Sequence, residues 1–338
     1  MSRNRFLVLT SINSQKMTGV IRLIEFLEKY SLSAIVVADK KTPTWTKHPN
    51  IEFLDLEKQE ELWPELSAAI PFNHYARKNL GYLYALSKEV DSLLDTDDDN
   101  CPMVNPWEIH FDTVRITHQT GWINIYKFFG ESDLWPRGLP LDSVHKYLEK
   151  PKLVNNRFDI SCFQSIVDGD PDIDAIGRML FSKKVSFSDE PPVILTDGIC
   201  PTNSQATVWS SWVIPLLYLP STATFRMTDI WRGLILQSVI KNLGGVTVFG
   251  KLGFEQDRNE HNLMRDFESE IDGHIHSREV YEISEYIWSH GEFTRHPKSI
   301  LEGLEKIYRE LVGQGILDIR ELSILNYWSK AVMQSVTV

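Results

Sequence analysis

Cysteine is scarce in this chain and never clustered: Cys101, Cys162 and Cys200 are far apart and form no CxxC pair. That excludes a disulfide framework and a cysteine-based zinc site, and points to a reducing, cytoplasmic setting. Long apolar runs are missing too. The most apolar stretch, residues 208–219, holds Ser210, Ser211 and Pro215 and falls short of the roughly 20 residues a spanning helix requires. Residues 6–9 are too few for a signal-peptide core, so they read as a first strand and no membrane anchor is expected. Positive charge is in deficit: 35 Lys and Arg against 46 Asp and Glu give a net charge of −11. This argues against nonspecific binding to a phosphate backbone or an anionic membrane, although a local basic groove leaves a nucleic-acid acceptor open. No internal repeat or low-complexity linker is present.

What remains is an ordinary globular composition, 42% hydrophobic and 24% charged, with 338 residues enough for one large α/β domain with an appendage or two modest domains. A buried strand at 6–10, an amphipathic helix at 20–30 and a second strand at 34–38 ending at Asp39 make a βαβ opening. Continuous rather than alternating apolar strands predict a mainly parallel sheet, with functional groups in loops at the carboxyl ends of its strands. Helices are expected at 57–69 and 75–89, then a strand at 90–94 running into Asp95-Thr96-Asp97-Asp98-Asp99. Further along, Asp168 to Asp174 opens a helical stretch reaching Leu180, residues 228–243 read as a helix, and residues 246–249 as a strand after Gly244-Gly245. Beyond about 275 the pattern is helical and polar, which divides the chain into 1–274 and a C-terminal helical region, 275–338.

Four aspartates in five positions repel one another unless a cation or a set of donors neutralises them. Hard oxygen ligands select Mg²⁺, Mn²⁺ or Ca²⁺, and a magnesium-like ion takes the rest of its shell from water and phosphate. An EF-hand fails on spacing, since its glycine would fall on Asn100 and its glutamate on Pro106; a solvated acidic turn is the plainer alternative. Arg77 and Lys78, at a helix start, are either phosphate ligands or a surface pair. In Trp135-Pro-Arg137-Gly138, proline and glycine fix the backbone around an arginine, making a rigid clamp for phosphate or a turn with a stacked tryptophan. Asp229 is either an N-terminal carboxylate favoured by the helix dipole or a general base. His261 is a candidate third metal ligand; His274 and His276 read as structural, on one side of a strand.

In their order, Tyr75-Ala-Arg-Lys-Asn-Leu-Gly-Tyr82, Asp95-Thr-Asp-Asp-Asp-Asn100 and Trp135-Pro-Arg-Gly-Leu-Pro140 resemble the glycosyltransferase domain of the STELLO family. More loosely they resemble the reversibly glycosylated polypeptides that act as UDP-arabinopyranose mutases, which share segments similar to Asp170-Pro-Asp-Ile-Asp174-Ala175 and Asp229 to Trp231. The resemblance spans about residues 6–270. It implies a GT-A-like, Rossmann-type nucleotide-sugar-binding fold with a C-terminal helical extension. It also implies Asp97 and Asp99 at ribose and metal with Asp98 beside them, Asp39 near the base, Arg77 or Lys78 near the phosphates, and Trp135 and Asp172 in the substrate site. STELLO proteins resemble Golgi membrane proteins with an anchor and extra domains, which this chain is not expected to have. In the mutase group the arginine similar to Arg137 becomes glycosylated.

The resulting expectation is a glycosyltransferase using Mn²⁺ or Mg²⁺, moving a sugar from a nucleotide-sugar donor, UDP-sugar favoured, to a carbohydrate or other hydroxyl acceptor. Inversion, with Asp229 as base and Arg137 stabilising charge, is the default. The alternatives are a pyranose/furanose mutase self-glycosylated at Arg137 and a catalytically silent scaffold.

Overall fold

A computed structural model describes residues 4–181, 183–256 and 262–336. The chain opens with β1 (Arg5–Ser11), α1 (Thr18–Tyr30), β2 (Ser33–Ala38), β3 (Ile51–Leu54), α2 (Leu56–Leu62) and α3 (Pro64–Ala69). Next come α4 (Lys78–Ser87), β4 (Ser92–Thr96), β5 (Asn100–Pro102), β6 (Val114–Thr117), β7 (Gly121–Trp122), β8 (Lys152–Val154), β9 (Ile160–Ser165) and β10 (Asp168–Gly169). Then follow α5 (Ala175–Leu180), β11 (Val193–Leu195), β12 (Gly198–Ile199), β13 (Ala206–Ser210), α6 (Thr228–Asn242), β14 (Val246–Gly250) and β15 (Phe254–Gln256). Three helices complete it: α7 (Leu263–His290), α8 (Pro297–Gly313) and α9 (Arg320–Val336).

Ten strands form one sheet in the order β3-β2-β1-β4-β13-β9-β14-β11-β6-β8. The first four are parallel, as the unbroken apolar runs predict. Beyond them the sheet is mixed, because β13 runs antiparallel to both β4 and β9. Strand β1 shows how two faces are covered: Val8 joins the core on one side, while Leu7 and Leu9 join the core on the other, as period-two alternation requires. The second face is closed by α1, whose Val20, Leu23 and Leu27 are buried at helical spacing. The first is closed by α4, α6 and the C-terminal helices, which bury Leu80, Leu234 and Trp328 in one cluster. This is the GT-A-like α/β arrangement the motifs imply, with helices at the C-terminal end.

Several expectations shift. The single helix at 57–69 is two, because Pro64 cannot continue the first and instead starts the second. The helix expected from Tyr75 begins as a 3₁₀ turn, Tyr75–Arg77, capped by the His74 ring nitrogen that accepts from the Ala76 N–H. Strand β4 starts two residues later than expected, which draws Asp95 and Thr96 into the sheet. His274 and His276 lie in α7, not in a strand, and two residues on a helix point to opposite sides. That 28-residue helix runs unbroken through positions 274 and 275. Among the described residues no helix is long and apolar enough to cross a membrane.

Candidate active site

A cleft of about 400 Å³ opens where β1, β2 and β4 end, a volume in the range of small-molecule sites. In the order β3-β2-β1-β4 the chain winds outward from β1 in both directions. The crevice beside the carboxyl ends at such a reversal is where open α/β sheets bind ligands. Thr10, Ser11 and Ile12 arrive from β1, Asp39 and Lys41 from β2, and Asp97, Asp98 and Asp99 from β4. The opposite wall brings Arg137, Asp172, Gln205, Phe225, Arg226, Asp229 and Gln256, with Asn73, His74 and Tyr75 at the α4 end.

The acidic cluster is two things. Asp95 is fully buried and never reaches the cleft: its carboxylate lies 2.7 Å from Lys78 Nζ and 3.0 Å from an Arg232 nitrogen, and accepts from the Tyr82 hydroxyl at 2.8 Å. Its neutralising cations come from inside the protein, so of the two expected ways to neutralise the cluster, Asp95 is served by internal donors. Asp97 sits at the boundary, accepting from the Tyr75 hydroxyl at 2.6 Å and from Lys78 at 3.2 Å, with 30% of its side chain still accessible. Burial, opposed by Lys78 and reinforced by Asp99 and Asp95, pushes its carboxyl up to about 7. Asp98 accepts from Ser11 Oγ and from Asn13 Nδ2 at 2.9 Å, and Asp99 from Gln256 Nε2 at 3.3 Å. A side chain at Gly19 would meet the Asp98 carbonyl at 2.3 Å, so its absence lets the first turn of α1 buttress this loop.

The two basic residues expected at the phosphates are both buried. Arg77 donates to Gln59 Oε1 and to the carbonyls of Ser67 and Ile70, fastening α2 and α3 to the start of α4; it does not line the cleft. Lys78 lies beneath the floor. Burial alone would lower its ammonium, but Asp95 and Asp97 outweigh that and raise it. Among the described residues, the Lys and Arg side chains that border the cleft are Lys41, Arg137 and Arg226, against six carboxylates: Asp39, Asp97, Asp98, Asp99, Asp172 and Asp229.

Arg137 is held by both carboxylates of the far wall. Nε and Nη2 donate to Asp172 at 2.8 and 2.7 Å, Nη1 and Nη2 to Asp229 at 3.1 and 3.2 Å, and Nη1 also to the Arg226 carbonyl. All five of its N–H donors are used. Asp172 and Asp229 raise the guanidinium well above its ordinary value despite burial. The arginine expected to grip phosphate therefore organises two carboxylates instead. Asp229 accepts in addition from the Ser204 and Ile230 backbone N–H groups, and Asp172 from Asn203 Nδ2. Gly138 follows at φ +86°, where any side chain would strike Ile230 of α6. Trp135 is buried outside the cleft; its indole N–H donates at 2.6 Å to Asp174, which caps α5. His261 lies outside the described residues, and among those described no three His, Cys, Asp or Glu side chains converge as a metal cage.

Sequence reasoning missed Lys41, Tyr75, Phe225, Arg226 and Gln256. Tyr75 stands beside the basic pair that attracted notice, and Phe225-Arg226 just ahead of the Asp229 helix. Reading for charged motifs passed over the hydroxyl of Tyr75, the ring of Phe225 and the amide of Gln256, and over Lys41 and Arg226, single cations that stand in no motif.

No family model matches the chain. "Probable glycosyltransferase STELLO1" from Arabidopsis thaliana is 28% identical over 254 residues, covering 67% of this chain and 32% of that protein. "Probable glycosyltransferase STELLO2" from the same plant is 28% identical over 268 residues, 71% of this chain and 34% of that one. The chain thus spans about a third of the length of these curated relatives. A solved mycobacterial protein structure aligns with 10% identity and a TM-score of 0.36 over 82% of this chain and 74% of that one, a likeness too loose to define the fold. The resemblance carried by the motifs holds across the sequence, and the chain is STELLO-like over roughly 70% of its length.

Proposed function

We propose that the cleft binds a nucleotide-activated sugar, UDP-sugar favoured, and transfers the sugar to an acceptor hydroxyl. The observation that carries this reading is the meeting, in one cleft at the β1/β4 reversal, of the Asp97–Asp99 pair with Asp229 on the opposite wall. The relatives' printed name supports the reaction class.

The charge count supports a cation partner. Among the described residues six carboxylates face three Lys and Arg cations, and Arg137 and Arg226 are already paired with Asp172, Asp229 and Glu270, so a diphosphate entering alone meets net repulsion from them. Asp97 and Asp99 offer the two hard oxygen ligands that Mg²⁺ or Mn²⁺ commonly takes from protein when phosphates and water supply the rest. Such an ion, when bound, neutralises the charge of the departing diphosphate. Lys41 adds a flexible cation at the cleft wall, and Asp39 at the end of β2 is suited to accept from a base or ribose donor.

Asp229 receives the acceptor proton as the acceptor oxygen bonds to the sugar's anomeric carbon and the bond to the diphosphate oxygen breaks. Arg137 fixes the orientation of this carboxylate through two hydrogen bonds, with Asp172 bracing the guanidinium from the other side. An in-line displacement with one base inverts the anomeric centre. The same saturation of Arg137 favours an external acceptor over self-glycosylation, which would require breaking its contacts with both carboxylates.

Thermal shift with UDP-, GDP-, CDP- and dTDP-sugars, with and without Mn²⁺, tests the reading. A ligand at 100 times its Kd adds about 2.7 kcal/mol to the folded state. A metal-dependent rise with one nucleotide class, lost in Asp99→Ala while that variant melts near wild type, is expected. No shift with any donor favours a silent scaffold, and full transfer activity in Asp99→Ala eliminates the metal assignment.

A further inference from the structure

Among the described residues, two large apolar side chains that line the cleft are exposed, Ile12 and Phe225, and Phe225 is the aromatic one. Phe225, in the turn just ahead of α6, is 54% exposed while lining the cavity. Its ring is not adrift: it meets His74 at a centroid distance of 6.1 Å and Tyr75 at 5.9 Å, near-perpendicular in both cases. His74 is itself anchored by the Ala76 N–H, and Tyr75 by its hydroxyl bond to Asp97. Two T-shaped contacts set the ring's orientation and leave more than half of the residue open to the cleft. Phe225 stands four residues before Asp229, on the same wall.

The second observation is electrostatic. Carboxylates predominate around this ring, and the arginines of its wall are occupied by Asp172, Asp229 and Glu270. Among the described residues of this wall, a molecule carrying its own carboxylate or phosphate finds no unengaged guanidinium and meets like charge, which disfavours it. A neutral ring with one C–H-rich face and many hydroxyls fits both features: the face stacks on Phe225, and the hydroxyls donate to the surrounding aspartates.

We infer that Phe225 is the stacking platform for the acceptor, and that the acceptor is an uncharged sugar residue rather than an anionic sugar, a phospholipid headgroup or a nucleic acid. The inference rests on the transfer reading above for the word acceptor, but the binding surface is testable without any donor. Saturation-transfer NMR on the whole chain, with methyl β-glucoside, β-galactoside and β-xyloside as probes and methyl β-glucuronide as the anionic counterpart, reads it directly. Neutral glycosides are expected to receive saturation, with the signal falling at least about fivefold in Phe225→Ala, persisting in Phe225→Trp, and weak throughout for the glucuronide. An unchanged melting temperature in Phe225→Ala excludes unfolding as the cause. The inference is overturned if no neutral glycoside is saturated, if Phe225→Ala binds as wild type does, or if the glucuronide binds as well as the glucoside. Glycoside binding without any nucleotide-sugar shift removes the donor reading alone; the converse removes this inference alone.

Discussion

Asp95→Asn is the sharpest test of the division drawn within the acidic cluster. If Asp95 were a ligand of the cleft, its amide would reduce function and leave the fold untouched. The geometry says the opposite. Asp95 is fully buried, with Lys78 at 2.7 Å and Arg232 at 3.0 Å, so the substitution keeps the shape but leaves two interior cations sharing what remains. Breaking a buried ion pair by removing one partner costs about 3–5 kcal/mol. Lys78 retains Asp97 at 3.2 Å, which places the effect toward the lower end. At roughly 2 °C per kcal/mol for a chain of this size, the lower part of that range, about 3–4 kcal/mol, lowers the melting temperature by about 6–8 °C, measured calorimetrically without ligand. Asp98→Asn, whose partners Ser11 and Asn13 lie at the cleft edge, is the matched control and should shift by less than about 2 °C. Adding Arg232→Met to Asp95→Asn should restore part of the loss, because the pair is removed together. A melting temperature for Asp95→Asn within about 2 °C of wild type would refute the assignment.

Gly138→Ala should destabilise by about 1–3 kcal/mol in urea unfolding, since the new methyl meets Ile230 at a residue whose φ is +86°; wild-type stability would show that the loop shifts at no cost. Glu321 supplies a pH test: burial raises its carboxyl above the ordinary value, against hydrogen bonds from Tyr218 and from the Thr222 and Ser221 backbone. A folded-state value above the unfolded one means that the proton is held more tightly in the fold. The corresponding stability is complete below the ordinary glutamate value and is lost as pH rises through the folded one. Glu321→Gln should flatten that decline in urea midpoints as pH rises above the ordinary glutamate value of about 4.3, and an unchanged pH slope would remove Glu321 as its source.

The parallel half of the sheet was legible because β1 and β2 are unbroken apolar runs, and the helix at α6 because its length left no other reading. Asp39 and the aspartates after β4 were legible as cleft residues by the rule that function gathers at strand ends, and Arg137 and Asp229 stood out as punctuated or isolated charges. What could not be read was which charges pair with one another. Arg232, Lys78 and Asp95 come from three separate elements, and nothing local in any of them signals the others. The same holds for Arg137, whose proline and glycine neighbours announce rigidity but not that its partners are two carboxylates. Arg77 looked like a surface cation because a helix start is ordinarily exposed, yet α3 and the turn before α4 fold over it. The antiparallel β13 hid inside an apolar stretch whose composition speaks of burial and not of direction.

The Asp95–Arg232 bond joins positions 137 apart in the chain, and that separation is also an interval of time. At roughly 5–20 residues per second during synthesis, Asp95 emerges about 7–27 s before the arginine that completes its network, and Lys78 earlier still. Strand β13, which must seal the open edge of β4, comes only slightly earlier. A nascent chain therefore carries the entire parallel half of its sheet with an unpaired edge and an incomplete charge network for a long stretch of translation, and an open edge of that kind is a template for pairing with other chains.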